Sequence, residues 1–533
     1  MGWRWQAAVV LSLAAAFAWF AFGVRGMYHL SGDEPHYLAI TQGLWLYHTL
    51  DQHRVLYQHD FFAYFPHLMS SHSLHRGPHL YPLHYLGLPL ALLPGFALAG
   101  APGAEVTALL IALLVCWRVL HVCARVAGPV AASISVLGMG LAAPFVSNAP
   151  TVYPDLLAAL LLVLGYEVVD APTLTARRAL ALGLLLAAMP WVHAKLLVAV
   201  AALALWALYS LWRSRETLTP QPPLPAAGEG EHTLPLPAAG EGEHTLPLPA
   251  AGEGEHTLPL PAAGEEWRVR VALRTGKGVA VKAAFAPLSR AQGEGWGVRA
   301  ALVLGLPLLS VGGLLLFNGW LYGSPTLTAQ FSLRGQALLS SNPLSGLAGQ
   351  LFAQGQGMLG TAPFLLLVIP GAVALWRRDR DAALKVGLVT LPYWLVTLTY
   401  HDWWGGDCPP LRYLLPLLPL WSIGTAALLA GLRTLAARVA VAALAGVTLA
   451  LTLTIPAAPR WGWPLPGGQS ATLVALGNML HLPLTHWLPT FVIVPVDNGL
   501  WRTPWLIAPW ALGLLALWLL LTGNERLATR RRR

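Results

Sequence analysis

The residues best placed to do chemistry follow the first apolar stretch, in the sequence Ser31-Gly32-Asp33-Glu34-Pro35-His36-Tyr37-Leu38. Asp33 and Glu34 are adjacent carboxylates within about ten residues of a candidate membrane helix, where an ionisable group is costly and commonly functional. Ten of the 24 acidic residues fall in a repetitive insert, so acids elsewhere are scarce. One carboxylate could act as general base on a hydroxyl nucleophile, while the other orients a substrate or a metal ion. The alternative is a solvated acid pair beside a helix cap.

A transfer reaction also needs a cation to hold a departing phosphate. The candidates are Lys195, Arg334 and Arg412. Arginine offers phosphate a bidentate fork, whereas lysine offers a point charge. Two alternatives stay open: Lys195 and Arg412 could snorkel at span ends, and Arg412 could pair with Asp402 or Asp407.

The segment Asp402-Trp403-Trp404-Gly405-Gly406-Asp407 is interpreted as a ligand loop. Indoles stack on sugar faces, and glycines let the backbone approach a ligand closely. The alternative is an interfacial aromatic belt, which leaves the two glycines between acids unexplained. The metal requirement is open, with a divalent cation as one cofactor that the acids could use. The histidines of the first loop lack tight zinc-ligand spacing and are expected to be mostly solvated or capping: His53, His59, His67, His72, His75, His79 and His84.

Composition indicates a polytopic membrane protein. The 533 residues are 56% hydrophobic and 11% charged, with 23 Trp, whereas a soluble domain carries roughly 25% charged residues. The net charge of +9 comes from arginines at span ends, so no nucleic-acid partner is expected. Three cysteines form no disulfide framework.

Apolar runs of about 20 residues predict an all-α bundle of about 12 transmembrane helices. The first run is interpreted as a retained helix because no small-x-small cleavage site follows it. The proline-interrupted segment 83–101 is interpreted as a partial, interfacial helix, since only then do the arginines at span ends lie inside. The predicted spans are 5–24, 104–124, 129–147, 154–170, 178–194, 196–212, 299–318, 357–376, 382–399, 413–431, 434–455 and 504–522.

This topology places both termini in the cytoplasm and the polar loops on the outer face. Three regions follow: an N-terminal transmembrane region over residues 1–212, an insert over residues 213–298, and a C-terminal transmembrane region over residues 299–533. The predicted outer loops are 25–103, 319–356, 400–412 and 456–503, and shorter turns at Asp155 and Lys195 lie on the same side.

The insert 213–298 is foreign to the rest of the chain. A 12-residue unit, Pro-Leu-Pro-Ala-Ala-Gly-Glu-Gly-Glu-His-Thr-Leu, recurs from Pro235 and Pro247. Such a composition cannot build a core and is expected to be disordered, on the cytoplasmic side and away from the active machinery.

Several segments, taken in order, resemble GT-C fold glycosyltransferases, and most nearly the protein mannosyltransferase and aminoarabinose transferase group of glycosyltransferase family 39. The resemblance covers nearly all the chain except the insert. Asp407-Cys408-Pro409-Pro410 departs from the more aromatic stretch of many relatives. The segments that resemble the family are Gly32 to Leu38, His84 to Pro89, Tyr153 to Leu156, Pro190 to His193, Asn318 with Gly323 to Pro325, and Trp403 to Gly406 with Arg412 to Pro416.

The resemblance implies an enzyme that transfers a hexose or pentose, with inversion, from a polyprenyl-phosphate carrier on the outer face of a bacterial inner membrane. The acceptor would be a lipid, a glycan or a protein. Asp33 would be the general base or acceptor-orienting acid, Glu34 would support it, and Asp155 would be the second acid. Candidate substrate-binding residues are His36, Tyr37, His193, Lys195, Arg334, Asp402, Trp403, Trp404, Asp407 and Arg412.

Two other functions remain open. A transporter or flippase of lipid-linked sugars would place polar residues at the bilayer midplane and show inverted repeats, and neither is evident. An oligosaccharide ligase or polymerase would differ mainly in its acceptor. The sequence leaves open the identity of the sugar and acceptor and the oligomeric state.

Overall fold

The computed structural model describes residues 4–26, 30–69, 72–216, 288–329, 343–400, 402–465, 468–489 and 506–522. Within these ranges the chain is mostly helical, with one two-stranded hairpin, β1 Ser73–Arg76 and β2 His79–Pro82. The helices are α1 Arg4–Ala18, α2 Glu34–Tyr47, α3 His53–Tyr57, α4 Gly87–Ala127, α5 Pro129–Gly140, α6 Ala143–Asn148, α7 Pro154–Val169, α8 Ala176–Val192, α9 Leu197–Glu216, α10 Leu288–Tyr322, α11 Pro343–Phe352, α12 Met358–Thr361, α13 Val368–Arg378, α14 Arg380–Leu398, α15 Leu418–Gly431, α16 Leu435–Leu453, α17 Ala471–Leu480 and α18 Ile507–Thr522.

Six of the described helices are long and apolar enough to cross a membrane, which supports the all-α membrane class. Their outward faces are apolar too: Leu308, Leu309 and Leu316 of α10 are 67%, 75% and 77% exposed. A helix that is hydrophobic all round needs an apolar surrounding such as lipid. The six are Arg4–Arg25, Gly87–Ala127, Ala194–Arg213, Gly295–Tyr322, Arg380–Leu398 and Leu435–Ala457.

The expected count of about 12 spans is wrong for the described residues, where six helices qualify. Several apolar runs form helices that are too short: α5 has 12 residues, α15 has 14 and α18 has 16. Because a helix rises 1.5 Å per residue, 12 residues cover only about 18 Å of an apolar core about 30 Å thick. The run 357–376 is divided further, into α12, a 3₁₀ turn Pro363–Leu367 and α13. Apolar run length therefore overestimates helix length where proline and glycine interrupt the run.

The segment 83–101 supplies the first portion of α4, which is sharply kinked. The helical dihedral angles break at Ala99 and Gly100, and Gly100 has φ +63°, a value that suits glycine. Gly95 lies against Gly103 and Thr107, leaving no room for a Cβ atom. Since Gly95 and Thr107 would lie about 18 Å apart along a straight helix, the start of α4 folds back on the remainder.

Close packing of small residues holds two helices of the bundle together. Gly371 of α13 and Gly424 of α15 face each other, and a Cβ on either would lie 2.7–2.9 Å from the other's backbone. Such small-residue contacts let membrane helices approach closely.

The chain divides into two compact units, Met1–Ser214 with Gly293–Arg533, and Arg215–Gln292. Helix α10 begins at Leu288, inside the segment assigned to the insert. The repeats themselves lie outside the described residues. The site below belongs entirely to the first unit.

Candidate active site

Four charged residues that are far apart in sequence meet at the beginnings of short helical segments. Asp33 directly precedes α2, and Asp155 lies in the first turn of α7. Pro35 and Pro154 each lie at the start of these helices, where a missing backbone N–H costs nothing. Both acids therefore lie near the positive end of a helix dipole. The cations come from the 3₁₀ turns Ala194–Leu196 and Arg412–Leu414.

These residues form a continuous chain of ion pairs. Arg412 donates from Nε to Asp155 Oδ2 at 2.9 Å and from Nη1 to Asp33 Oδ2 at 3.2 Å. Lys195 Nζ donates to the other oxygen, Asp155 Oδ1, at 2.9 Å. The side chain of Asp155 is 0% exposed, that of Lys195 is 2% and that of Arg412 is 8%. Two anions and two cations thus neutralise one another where an unpaired charge would be costly.

Aromatic rings complete the surroundings of both cations. The Arg412 guanidinium lies over the ring of Tyr153, with Cζ 4.0 Å from the ring centroid, and Lys195 Nζ lies 4.3 Å from the centroid of Tyr413. Both contacts have the geometry of cation–π interactions. The Tyr153 hydroxyl donates toward the carbonyl oxygens of Ser31 and Asp407, at 3.1 and 3.3 Å, which ties the two loops together.

Asp33 is held in its ionised form. Burial by itself raises the pKa of this carboxyl, but His84, Arg412 and His72 together lower the pKa below its usual value. A carboxylate with a lowered pKa stays ionised, so it can accept a hydrogen bond, but it is a weak base. The surroundings therefore favour orienting an acceptor hydroxyl over removing its proton early.

A cavity of about 190 Å³ opens beside this network. Asp33 and Arg412 line it, whereas Asp155 and Lys195 lie behind Arg412. Gly405 and Gly406, with φ +95° and +82°, form part of its wall, as a close backbone approach to a ligand requires. Other predicted residues on the lining are Tyr37, His193, Asp402 and Asp407.

Glu34 points away from the cavity, into a separate buried pair. Both of its carboxylate oxygens accept from Arg25 Nη2 at 2.8 Å, and Oε2 also accepts from the Val152 backbone N–H at 2.9 Å. Its side chain is 0% exposed. Glu34 thus ties the end of the first membrane helix to the start of α7, which supports the site without touching the cavity.

The double-tryptophan segment divides into two kinds of residue. Trp403 is buried and packs against Gly349. The ring centroids of Trp403 and Trp404 are 5.7 Å apart, and the two rings meet edge to face. Neither indole lines the cavity, while the neighbouring glycines and acids do. Asp407 also pairs with Arg460. Arg334, the remaining predicted cation, lies outside the described residues.

The hairpin brings together histidines that the sequence analysis expected to be solvated. His72 Nδ1 lies 3.6 Å and His84 Nε2 lies 4.0 Å from Asp33 Oδ1, and the two nitrogens are 3.2 Å apart. The ring of His36 stacks on His72 with centroids 3.9 Å apart. Asp33, His72 and His84 are the one group of three or more His, Cys, Asp or Glu side chains, among the described residues, whose ligand atoms lie close enough together to hold a metal ion.

Sequence reasoning assigned no role to Arg25, which pairs with Glu34, to Tyr153, which stacks on Arg412, or to Tyr85, which lines the cavity. The turn Arg76-Gly77-Pro78-His79 was a usable signal for the histidines, because it predicts a hairpin that returns His84 toward His72. No comparable local signal links Arg25 to Glu34 across the segment that separates them.

Comparison with known proteins identifies no relative: no protein-family model, curated protein or solved structure matches the chain.

Proposed function

We propose that this chain is an inverting membrane glycosyltransferase of the GT-C type, which transfers a hexose or pentose from polyprenyl phosphate to an acceptor hydroxyl outside the cytoplasm. The observation that carries the proposal is the ion-pair chain Asp33–Arg412–Asp155–Lys195 beside a cavity. It supplies an acceptor-orienting anion and a phosphate-binding cation within one small site. A donor carried on a lipid suits a site close to the membrane.

The proposed reaction is a single displacement at the anomeric carbon. The acceptor oxygen forms a bond to this carbon while the bond to the phosphate oxygen breaks, and its electron pair leaves with polyprenyl phosphate. Attack from the face opposite the leaving group inverts the configuration. Asp33 accepts a hydrogen bond from the attacking hydroxyl and receives its proton as the new bond forms.

Arg412 is the proposed phosphate-binding group because its guanidinium borders the cavity. Charge accumulates on the phosphate as the glycosidic bond breaks, and a fixed cation stabilises that change. Asp155 and Lys195 hold Arg412 in position from behind. In this arrangement Asp155 is a positioning residue, a narrower role than the second catalytic acid expected from the family resemblance.

The proposal is tested with the full chain in membranes. We expect one or more polyprenyl-phosphate hexoses or pentoses, isotopically labelled in the sugar, to yield labelled lipid, glycan or protein detectable by mass spectrometry. Asp33→Asn should abolish this labelling at equal protein level. Asp170→Asn, at the other end of α7, is the matched control and should retain it.

Two outcomes would refute the proposal. One is transfer that persists in Asp33→Asn. The other is a wild-type protein that moves lipid-linked sugar across a vesicle bilayer and forms no glycosidic product, which is the behaviour of a flippase.

A further inference from the structure

The register of the β1–β2 hairpin brings two histidines beside Asp33. Ser73 pairs with Pro82 at the open end of the hairpin. The pairing continues one residue further, where the Leu83 N–H donates to the His72 carbonyl at 2.9 Å. His72 and His84 therefore leave the open end of the hairpin side by side. Residues 12 apart in sequence become neighbours through this fold.

The distances between their ligand atoms fit a bound metal ion. A tetrahedral ion with bonds of 2.0–2.1 Å separates its ligands by about 3.3 Å. The three observed separations are 3.2 Å for His72 Nδ1 to His84 Nε2, 3.6 Å for His72 Nδ1 to Asp33 Oδ1, and 4.0 Å for His84 Nε2 to Asp33 Oδ1. Shifts of a few tenths of an ångström would complete the triangle.

We propose that Asp33, His72 and His84 bind one divalent transition-metal ion, with Zn²⁺ as the best fit. Two imidazole nitrogens and one carboxylate oxygen form a donor set that suits zinc, or iron and manganese in six-coordinate form. Mg²⁺ and Ca²⁺ prefer oxygen ligands and fit this set poorly.

The side chains around the three ligands hold them in place. Asp33 uses Oδ1 toward the histidines, while Oδ2 accepts from Arg412 at 3.2 Å, which fixes the carboxylate plane. His36 stacks on the ring of His72, and the Tyr37 ring lies 4.7 Å from that of His84. A hydrogen bond to the ligating carboxylate, such as that from Arg412, is typical of metal sites, and the ring contacts restrict how the two imidazoles can turn.

The open coordination positions of this ion would face the cavity, because Asp33 and His84 both line it. In one respect this rests on the proposed function: the ion would share the donor phosphate with Arg412. Because a carboxylate offers about four lone-pair sites, Asp33 could bind the ion and still accept the hydrogen bond of the attacking hydroxyl. The existence of the site does not depend on that role.

The test measures binding of the metal alone to the full chain in lipid nanodiscs. After removal of metals with a chelator, wild-type protein equilibrated with Zn²⁺ should retain one ion per chain by mass spectrometry of the metal. His72→Ala and His84→Ala should each weaken Zn²⁺ binding by at least about 100-fold, beyond the 10–100-fold typical of losing an outer partner. His75→Ala is the matched control, since His75 lies exposed on β1, three residues after His72, and its loss should leave binding unchanged.

Unchanged binding in both histidine variants, or less than stoichiometric binding by wild type, would overturn the site. X-ray absorption on the zinc-loaded wild type does not depend on any variant folding correctly. We expect two imidazoles and oxygen among the atoms bound to zinc; oxygen alone would overturn the proposal. Stoichiometric binding without sugar transfer would keep the metal site and refute the glycosyltransferase, whereas transfer by a chain that binds no metal would do the reverse.

Discussion

The two ends of α7 carry charge networks of similar composition in opposite surroundings. At its beginning, Asp155 binds Lys195 and Arg412. At its end, Asp170 accepts from Lys385 Nζ at 3.0 Å and lies 3.2 Å from Arg125 Nη2. Each network therefore places one aspartate between two cations from other segments.

The two networks differ in how deeply their aspartates are buried. The side chain of Asp155 is 0% exposed, whereas those of Asp170 and Arg125 are 22% and 49% exposed. Exposed ion pairs contribute about 0–1 kcal/mol to stability, while breaking a buried pair leaves a charge without compensation. The first network borders a cavity with Asp33, and the second ties helix ends together in contact with solvent. Similar pairing thus supports a chemical role at one end of α7 and a structural one at the other.

The helix dipole reinforces this contrast. Asp155 lies in the first turn of α7, where the dipole favours an anion, whereas Asp170 directly follows the last turn, where it favours a cation. Arg125 and Lys385 offset the unfavourable position of Asp170.

The largest effect should come from Asp33→Asn. We expect sugar transfer to fall by about 10²–10⁴-fold, the range for removing a group that exchanges a proton with the reacting atoms. The protein should still accumulate, because Asp155 remains to pair with Arg412. Initial rates with the labelled donor, normalised to protein level, measure the loss. Activity close to that of wild type would remove Asp33 from the mechanism.

The two ends of α7 are compared directly by Asp155→Asn and Asp170→Asn. The first leaves Lys195 and Arg412 buried without their shared anion and should lower the free energy of unfolding by about 3–5 kcal/mol. The second should cost about 0–1 kcal/mol because Asp170 and Arg125 reach water and Lys385, which is buried, still pairs with Asp381. Denaturant unfolding in detergent, followed by tryptophan fluorescence, measures both. Equal costs would contradict the distinction between the two networks.

Glu34→Gln should act mainly through stability. The change leaves Arg25 buried without its anion, as Asp155→Asn does for Lys195 and Arg412, so we expect a similar loss of about 3–5 kcal/mol. Because Glu34 does not line the cavity, the KM for the donor should stay near wild type in the fraction that remains folded. A large change in KM with unchanged stability would place Glu34 in the substrate site instead.

The smallest effect should come from deleting Thr219 to Glu265. These repeats are unable to form a core and are predicted to lie in the cytoplasm, away from every candidate site residue. Turnover should remain near wild type at equal expression. A several-fold loss would assign the repeats a function.

The sequence placed Asp33, Asp155, Lys195 and Arg412 on one predicted side within a larger polar set, and the structure brings these four into contact. The sequence predicted too many spans, since apolar run length does not register breaks such as the one at Pro363. The different roles of Asp33 and Glu34 could not be predicted from the sequence either. Adjacent residues at a helix start point in different directions, and only the fold shows which of them pairs with Arg25. The pairing of His72 with His84 depended on the register of a hairpin, whose turn the sequence signals at Gly77-Pro78 but whose register it does not give.

The most direct test of the central claim is which compartment each end of α7 faces. Two single-cysteine variants, in a background without Cys116, Cys123 and Cys408, carry the cysteine at 402 or at 177, both exposed positions. A membrane-impermeant maleimide added outside intact cells should label 402 and should label 177 only after permeabilisation. Protection of 402 until permeabilisation would place the cavity in the cytoplasm and contradict transfer outside it, whereas labelling of both positions from outside would show that the two ends of α7 face the same compartment.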